Sequence, residues 1–87
     1  MKECKECETT INIHKHHVFG GPNRKLSEKY KLYVYLCQRH HTGNKGIHFN
    51  PQMALRYKQE YQEKFEQQYS RELFVELFGK NYLGVHE

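Results

Sequence analysis

Two short pairs, Cys4-x-x-Cys7 and Cys37-x-x-His40, have the spacing at which neighbouring side chains can reach one tetrahedral ion. Thiolate and imidazole together suit zinc, so these four residues predict a structural Zn²⁺. His16, His17, His41 and His48 then remain for a second, chemically active centre. His40 and His41 are adjacent, and either could complete the Cys37 pair, but the spacing favours His40. Their adjacency also suggests that the two rings diverge, one closing the structural site and the other facing a second cavity.

His16 and His17 pose a different constraint. Successive side chains on a strand point to opposite faces, so the two rings are poorly placed to bind one ion together. A division of labour follows, with one histidine as ligand. The other, with an ordinary pKa near 6.5, is a general base able to take a proton from water around neutral pH.

The elements that must carry these residues can be read from pattern. Thr9 to Phe19 mixes β-branched residues with histidines and ends at the turn signal Gly20-Gly21-Pro22-Asn23, which predicts a strand or hairpin arm. After a polar stretch, Tyr30 to Leu36 predicts a second strand leading straight into Cys37. A short helical turn over Gln38 to Thr42 suits the ligand spacing, while Gly43 and Gly46 argue against a long helix before Phe49 and leave His48 in a loop or at its end. Asn50-Pro51 reads as a helix start, and Met53, Tyr57, Tyr61 and Phe65 carry the helix to about Tyr69. Ser70 caps a second helix bearing Leu73, Phe74, Leu77 and Phe78, with Gly79 placed to end it. The tail Lys80 to Glu87 is expected to fray.

At 87 residues the chain is expected to be a single domain. A metal-rich portion (1–50) precedes a helical support (51–79). In a chain this short a hydrophobic core supplies only about 3–5 kcal/mol, so a structural metal is an economical staple. Three cysteines, two of them three positions apart, read as a metal half-site in a reducing compartment rather than a disulfide framework. The amino terminus lacks a basic segment followed by an apolar run, and no stretch approaches the roughly 18 apolar residues of a membrane span. The expectation is a soluble, cytoplasmic protein without a membrane partner. A net charge of +4 permits a nucleic-acid partner without requiring one.

His16-His17-Val18, together with Leu36-Cys37 and the histidine-rich loop after it, resembles the HNH, or ββα-metal, endonuclease family, and the amino-terminal cysteine pair is similar to its zinc-containing members. More narrowly, the runs HHVFGGPN (16–23), LCQRHHTGNKGIHFN (36–50) and FGKNY (78–82) resemble small HNH-like proteins of phages and prophages in Gram-positive bacteria. The resemblance covers most of the chain. It implies an α+β fold: a small ββα-metal domain with a structural zinc and two carboxy-terminal helices. It makes His16 a ligand of the catalytic ion and His17 the general base, with His41 and His48 as further ligands. That ion would be Mg²⁺, Mn²⁺ or Zn²⁺, and the substrate DNA.

Phosphodiester hydrolysis is the reaction implied, in a bacterial host cytoplasm if the chain is phage-encoded. Recombination or replication proteins of phage or host are conceivable partners. The family's middle Asn is missing, since the stretch before Leu36 reads Lys29-Tyr30-Lys31-Leu32, so another group must orient the His17 ring. Asn44 lies downstream as a reserve ligand or loop brace.

Other residues carry weaker signals. Arg39, Lys45 and Arg24 are candidates to hold phosphates, and Tyr33 or Tyr35 to pack against a duplex, though a plain surface role fits each as well. His14 and His86 read as exposed or core-satisfied rings; His14 shares a strand face with His16, so a ligand pair of the two is geometrically possible, though the family pattern argues against it. The stripe Tyr57, Tyr61, Phe65 reads as core packing, and Lys58, Glu60, Glu63, Lys64 and Glu66 as a solvated helix face, so the helices serve as support or a homodimer surface. The rival to the enzyme is a zinc-stabilised nucleic-acid-binding or adaptor module, which needs only the first four ligands. A redox role for Cys4-x-x-Cys7 lacks the βαβ context it would need.

Overall fold

The computed structural model describes residues 2–43 and 46–83. Strand β1 (Ile13–His17) pairs antiparallel with β2 (Tyr33–Cys37), in a register that sets His14 opposite Leu36, Lys15 opposite Tyr35, His16 opposite Val34 and His17 opposite Tyr33. Opposed residues share a face, so His14 and His16 lie on the side of the buried Leu36 and Val34, whereas Lys15 and His17 lie on the other with Tyr35 and Tyr33. Among the described residues four α-helices complete a small α+β fold: α1 (Arg24–Lys29), α2 (Gln38–His41), α3 (Pro51–Gln68) and α4 (Arg71–Phe78).

The segment between turn and second strand departs from expectation. It is not merely a polar stretch, because Arg24–Lys29 forms α1. One buried hydroxyl holds it: Ser27 Oγ donates to the Phe19 carbonyl (2.7 Å) and accepts from the Phe19 amide (3.1 Å). The helix stops in a Schellman turn, with the Leu32 amide bonded to the Ser27 carbonyl (2.7 Å) and Lys31 in the left-handed region at φ 60°. Chain direction therefore reverses in time for β2 to pair with β1.

Both long helices begin where side-chain oxygens can satisfy exposed amides. Asn50 Oδ1 accepts from the Met53 amide (3.0 Å) and Ser70 Oγ from the Leu73 amide (3.0 Å). Gly79, at φ 79°, ends α4 in the left-handed conformation its lack of a Cβ permits. The core lies between sheet and helices, where Phe19, Leu36, Tyr57, Phe65, Phe74 and Phe78 are buried.

The tail does not fray at its start. Gln62, fully buried in α3, accepts from the Tyr82 amide (2.8 Å) and donates to Asn81 Oδ1 (2.8 Å), while the Tyr82 ring packs on Phe19. A polar side chain at this depth is tolerable because its amide is bonded on both ends. Residues 84–87, with His86, lie outside the described residues. Among the described residues no helix is long and apolar enough to cross a membrane.

Candidate metal centres

Cys4 and Cys7 stand on a tight turn before β1, and Cys37 ends β2 as the residue that caps α2. Two backbone bonds seat the turn: the Cys4 amide donates to the Thr9 carbonyl (2.8 Å) and the Lys5 amide to the Tyr35 carbonyl (2.9 Å). Glu6, between the two cysteines, receives Arg56 (2.9 Å) and the Tyr57 hydroxyl from α3. The knuckle is thus braced by both strand and helix.

The donor atoms converge. Cys7 Sγ lies 3.8 Å from Cys37 Sγ, Cys4 Sγ 3.7 Å from His40 Nδ1, and Cys37 Sγ 3.3 Å from His40 Nδ1. A tetrahedral zinc at about 2.3 Å from sulfur and about 2.0 Å from nitrogen requires S···S edges near ~3.8 Å and S···N edges near ~3.5 Å. Cys4, Cys7, Cys37 and His40 can therefore hold a structural metal ion.

The thiols show why a cation suits them. Burial pushes the Cys4 thiol up, but backbone amides, Glu6 among them, outweigh it and hold the group down at about 6. The Cys7 thiol is drawn down by the Thr9 amide, yet burial and the other two sulfurs leave it raised. Three sulfurs so close cannot all ionise without a positive charge between them.

The second cluster comprises His16 from β1, His41 from the end of α2 and His48 from the 3₁₀ turn Ile47–Phe49, with ligand atoms all within 4.8 Å of one another. His40 and His41 do diverge, each joining a different cluster. Close backbone approach brings His48 in: a Cβ on Gly46 would lie 2.7 Å from the His41 carbonyl oxygen, and one on Gly43 would lie 2.8 Å from that of Arg39. Burial first, then the neighbouring His41 and His48, lowers the His16 pKa to about 4. Burial and His48 lower that of His41 too. Neutral imidazoles are the form that binds a cation.

His14 stands closer to this chemistry than its plain sequence reading suggested. Its Nδ1 lies 3.0 Å from His41 Nδ1, one ring donating and the other accepting. That contact fixes the orientation of His41 as outer partners of metal-bound imidazoles do.

His17 points away from the three histidines yet lines the same clefts at the end of β1. Its Nε2 lies 2.7 Å from Glu28 Oε1, and its ring meets Tyr33 edge-on at 6.1 Å. Glu28, on α1, thus holds the His17 ring in place. It also receives Lys15 Nζ at 3.1 Å, and the His17 and Lys15 contacts lower its carboxyl below the usual range.

The phosphate candidates separate. Arg24 borders the cleft of His16, His17, His41 and His48. Arg39 lies instead beside Cys7, Thr9 and Ile11, on the thiol side. Lys45 and Asn44 are outside the described residues. Two cations missed in the sequence join Arg24: Lys15 borders the same cleft, and Lys58, taken for part of a solvated face, borders the adjoining one with His16 and His48. The signal for Lys58 was its place one residue after the core position Tyr57.

Compared with family models, curated proteins and solved structures, the chain finds no match in any of the three.

Proposed function

We propose that the protein is a metal-dependent DNA endonuclease with an HNH-like ββα-metal core, stapled by zinc at Cys4, Cys7, Cys37 and His40. The observation that carries this reading is the open three-histidine cluster beside a histidine braced by a carboxylate, Glu28. A divalent ion held by His16, His41 and His48 would supply positive charge for the scissile phosphate and the leaving oxygen. Three imidazoles without a carboxylate favour Zn²⁺ over Mg²⁺ or Mn²⁺ as that ion.

In the reaction, His17 takes a proton from water as the water oxygen bonds to phosphorus and the bond to the leaving oxygen breaks. Glu28 accepts a hydrogen bond from the His17 ring and stabilises the imidazolium that forms. Arg24, Lys15 and Lys58 border the clefts where the phosphodiester would lie and hold it electrostatically.

The test is cleavage of supercoiled plasmid and single-stranded DNA by the parent and a His17→Ala variant of equal zinc content, with added Zn²⁺, Mn²⁺ or Mg²⁺. Cleavage by the parent that falls by about 10²-fold or more in the variant supports a base at His17. DNA binding without cleavage under every metal would leave the zinc-stabilised adaptor as the better reading.

A further inference from the structure

A separate cleft, of about 300 Å³, opens where the end of α1 and the start of β2 meet the last turns of α3. Its walls include Tyr30, Tyr33, Phe65 and Tyr69, with Lys31 and Lys64 at its edge and no carboxylate among the lining residues. Phe65 is core, but Tyr69 is 47% exposed. The Tyr69 ring lies 4.7 Å from that of Phe65 at 31° and 5.4 Å from that of Tyr30 at 81°. Tyr33 belongs both to this cleft and to the edge-on contact with His17, so one ring separates the cleft from the proposed base.

Flat aromatic walls take a planar, polarisable group, and two exposed lysines on a cleft whose lining holds no carboxylate take an anion. A nucleotide joins both properties in one unit. We infer that this cleft binds an unpaired base of the nucleic-acid strand, stacked on Tyr69, with flanking phosphates at Lys31 and Lys64. A base inside a regular duplex cannot enter it, so the protein would favour DNA with a bulged or extruded nucleotide. The inference rests on the nuclease reading for its ligand class and adds a preference within it.

The experiment uses zinc-loaded full-length chain and hydrolysis-resistant phosphorothioate duplexes, perfect or with a single bulged 2-aminopurine, at fixed salt. The parent is expected to bind the bulged duplex about tenfold more tightly and to quench the 2-aminopurine fluorescence. Tyr69→Ala should abolish preference and quenching with zinc content and duplex affinity unchanged, and Tyr69→Phe should retain both. A parent that does not discriminate, or a Tyr69→Ala protein that still does, overturns the inference. Plasmid cleavage without a bulge preference would remove this cleft's role and leave the nuclease. A Tyr69-dependent preference without cleavage would do the reverse.

Discussion

The two donor clusters differ in almost every property that matters to an ion. The thiol cluster has four donors, a fully buried Cys4, and braces from β2 and α3. The histidine cluster has three donors, of which His48 is exposed, and its clefts carry Lys15, Arg24 and Lys58. Four donors saturate a tetrahedral ion, while three leave a position for a reacting group. The difference teaches that one fold can set a saturated donor cluster beside an open one by a single ligand and by how close solvent comes.

The sharpest way to break that contrast is to remove a donor from each side. Cys37→Ser should abolish the cooperative thermal transition seen by far-UV circular dichroism, because a structural zinc contributes roughly 10–16 kcal/mol where the core supplies about 3–5. A variant that still melts cooperatively with wild-type stability would refute a structural role for the cluster. On the other side, His48→Ala should keep the fold and lower bound metal from two ions per chain to one by elemental analysis. Gly46→Ala, whose new methyl would meet the His41 carbonyl, should weaken the second ion by at least about tenfold.

A smaller effect is expected outside both clusters. Glu28→Ala should leave metal content unchanged and slow plasmid cleavage by about tenfold, part of the roughly 10²–10⁴ a positioned base supplies. Glu28→Gln, which can still accept from the ring, should lie between parent and Ala. Equal rates for all three would show that the 2.7 Å contact does not serve the reaction.

The least conspicuous effect is in pH. The His16 pKa stands at about 4 in the fold against an ordinary 6.5, so the unfolded chain takes up a proton first as pH falls. Protein without an ion at the histidine cluster should therefore lose stability between pH 6.5 and 4, with no contribution from this group above 6.5. Urea unfolding at several pH values should show a shallower loss for His16→Gln than for the parent.

What could be read in the sequence divides along similar lines. The four donors of the thiol cluster were legible because metal chemistry restricts both residue type and spacing, and the capped helices because Asn50, Ser70 and Gly79 mark their ends. Helix α1 was not: six residues with a single apolar position, Leu26, show no period, and the hydroxyl that anchors it bonds to Phe19, eight residues away. Glu28 was hidden for the same reason, since nothing local links it to His17 until α1 exists. His14 and Gln62 show a related gap, each looking ordinary until a partner 27 or 20 residues distant supplies its hydrogen bond.

His40 and His41 are consecutive in α2, yet each belongs to a different cluster. One peptide bond is thus the mechanical joint between the two. An ion that immobilises α2 through His40 also reduces the conformational freedom His41 must lose on binding, and linkage makes the benefit reciprocal. On the proposed reading the consequence is cooperative loading: an ion in either cluster raises the affinity of the other, and a chain starved of one would hold the other more weakly.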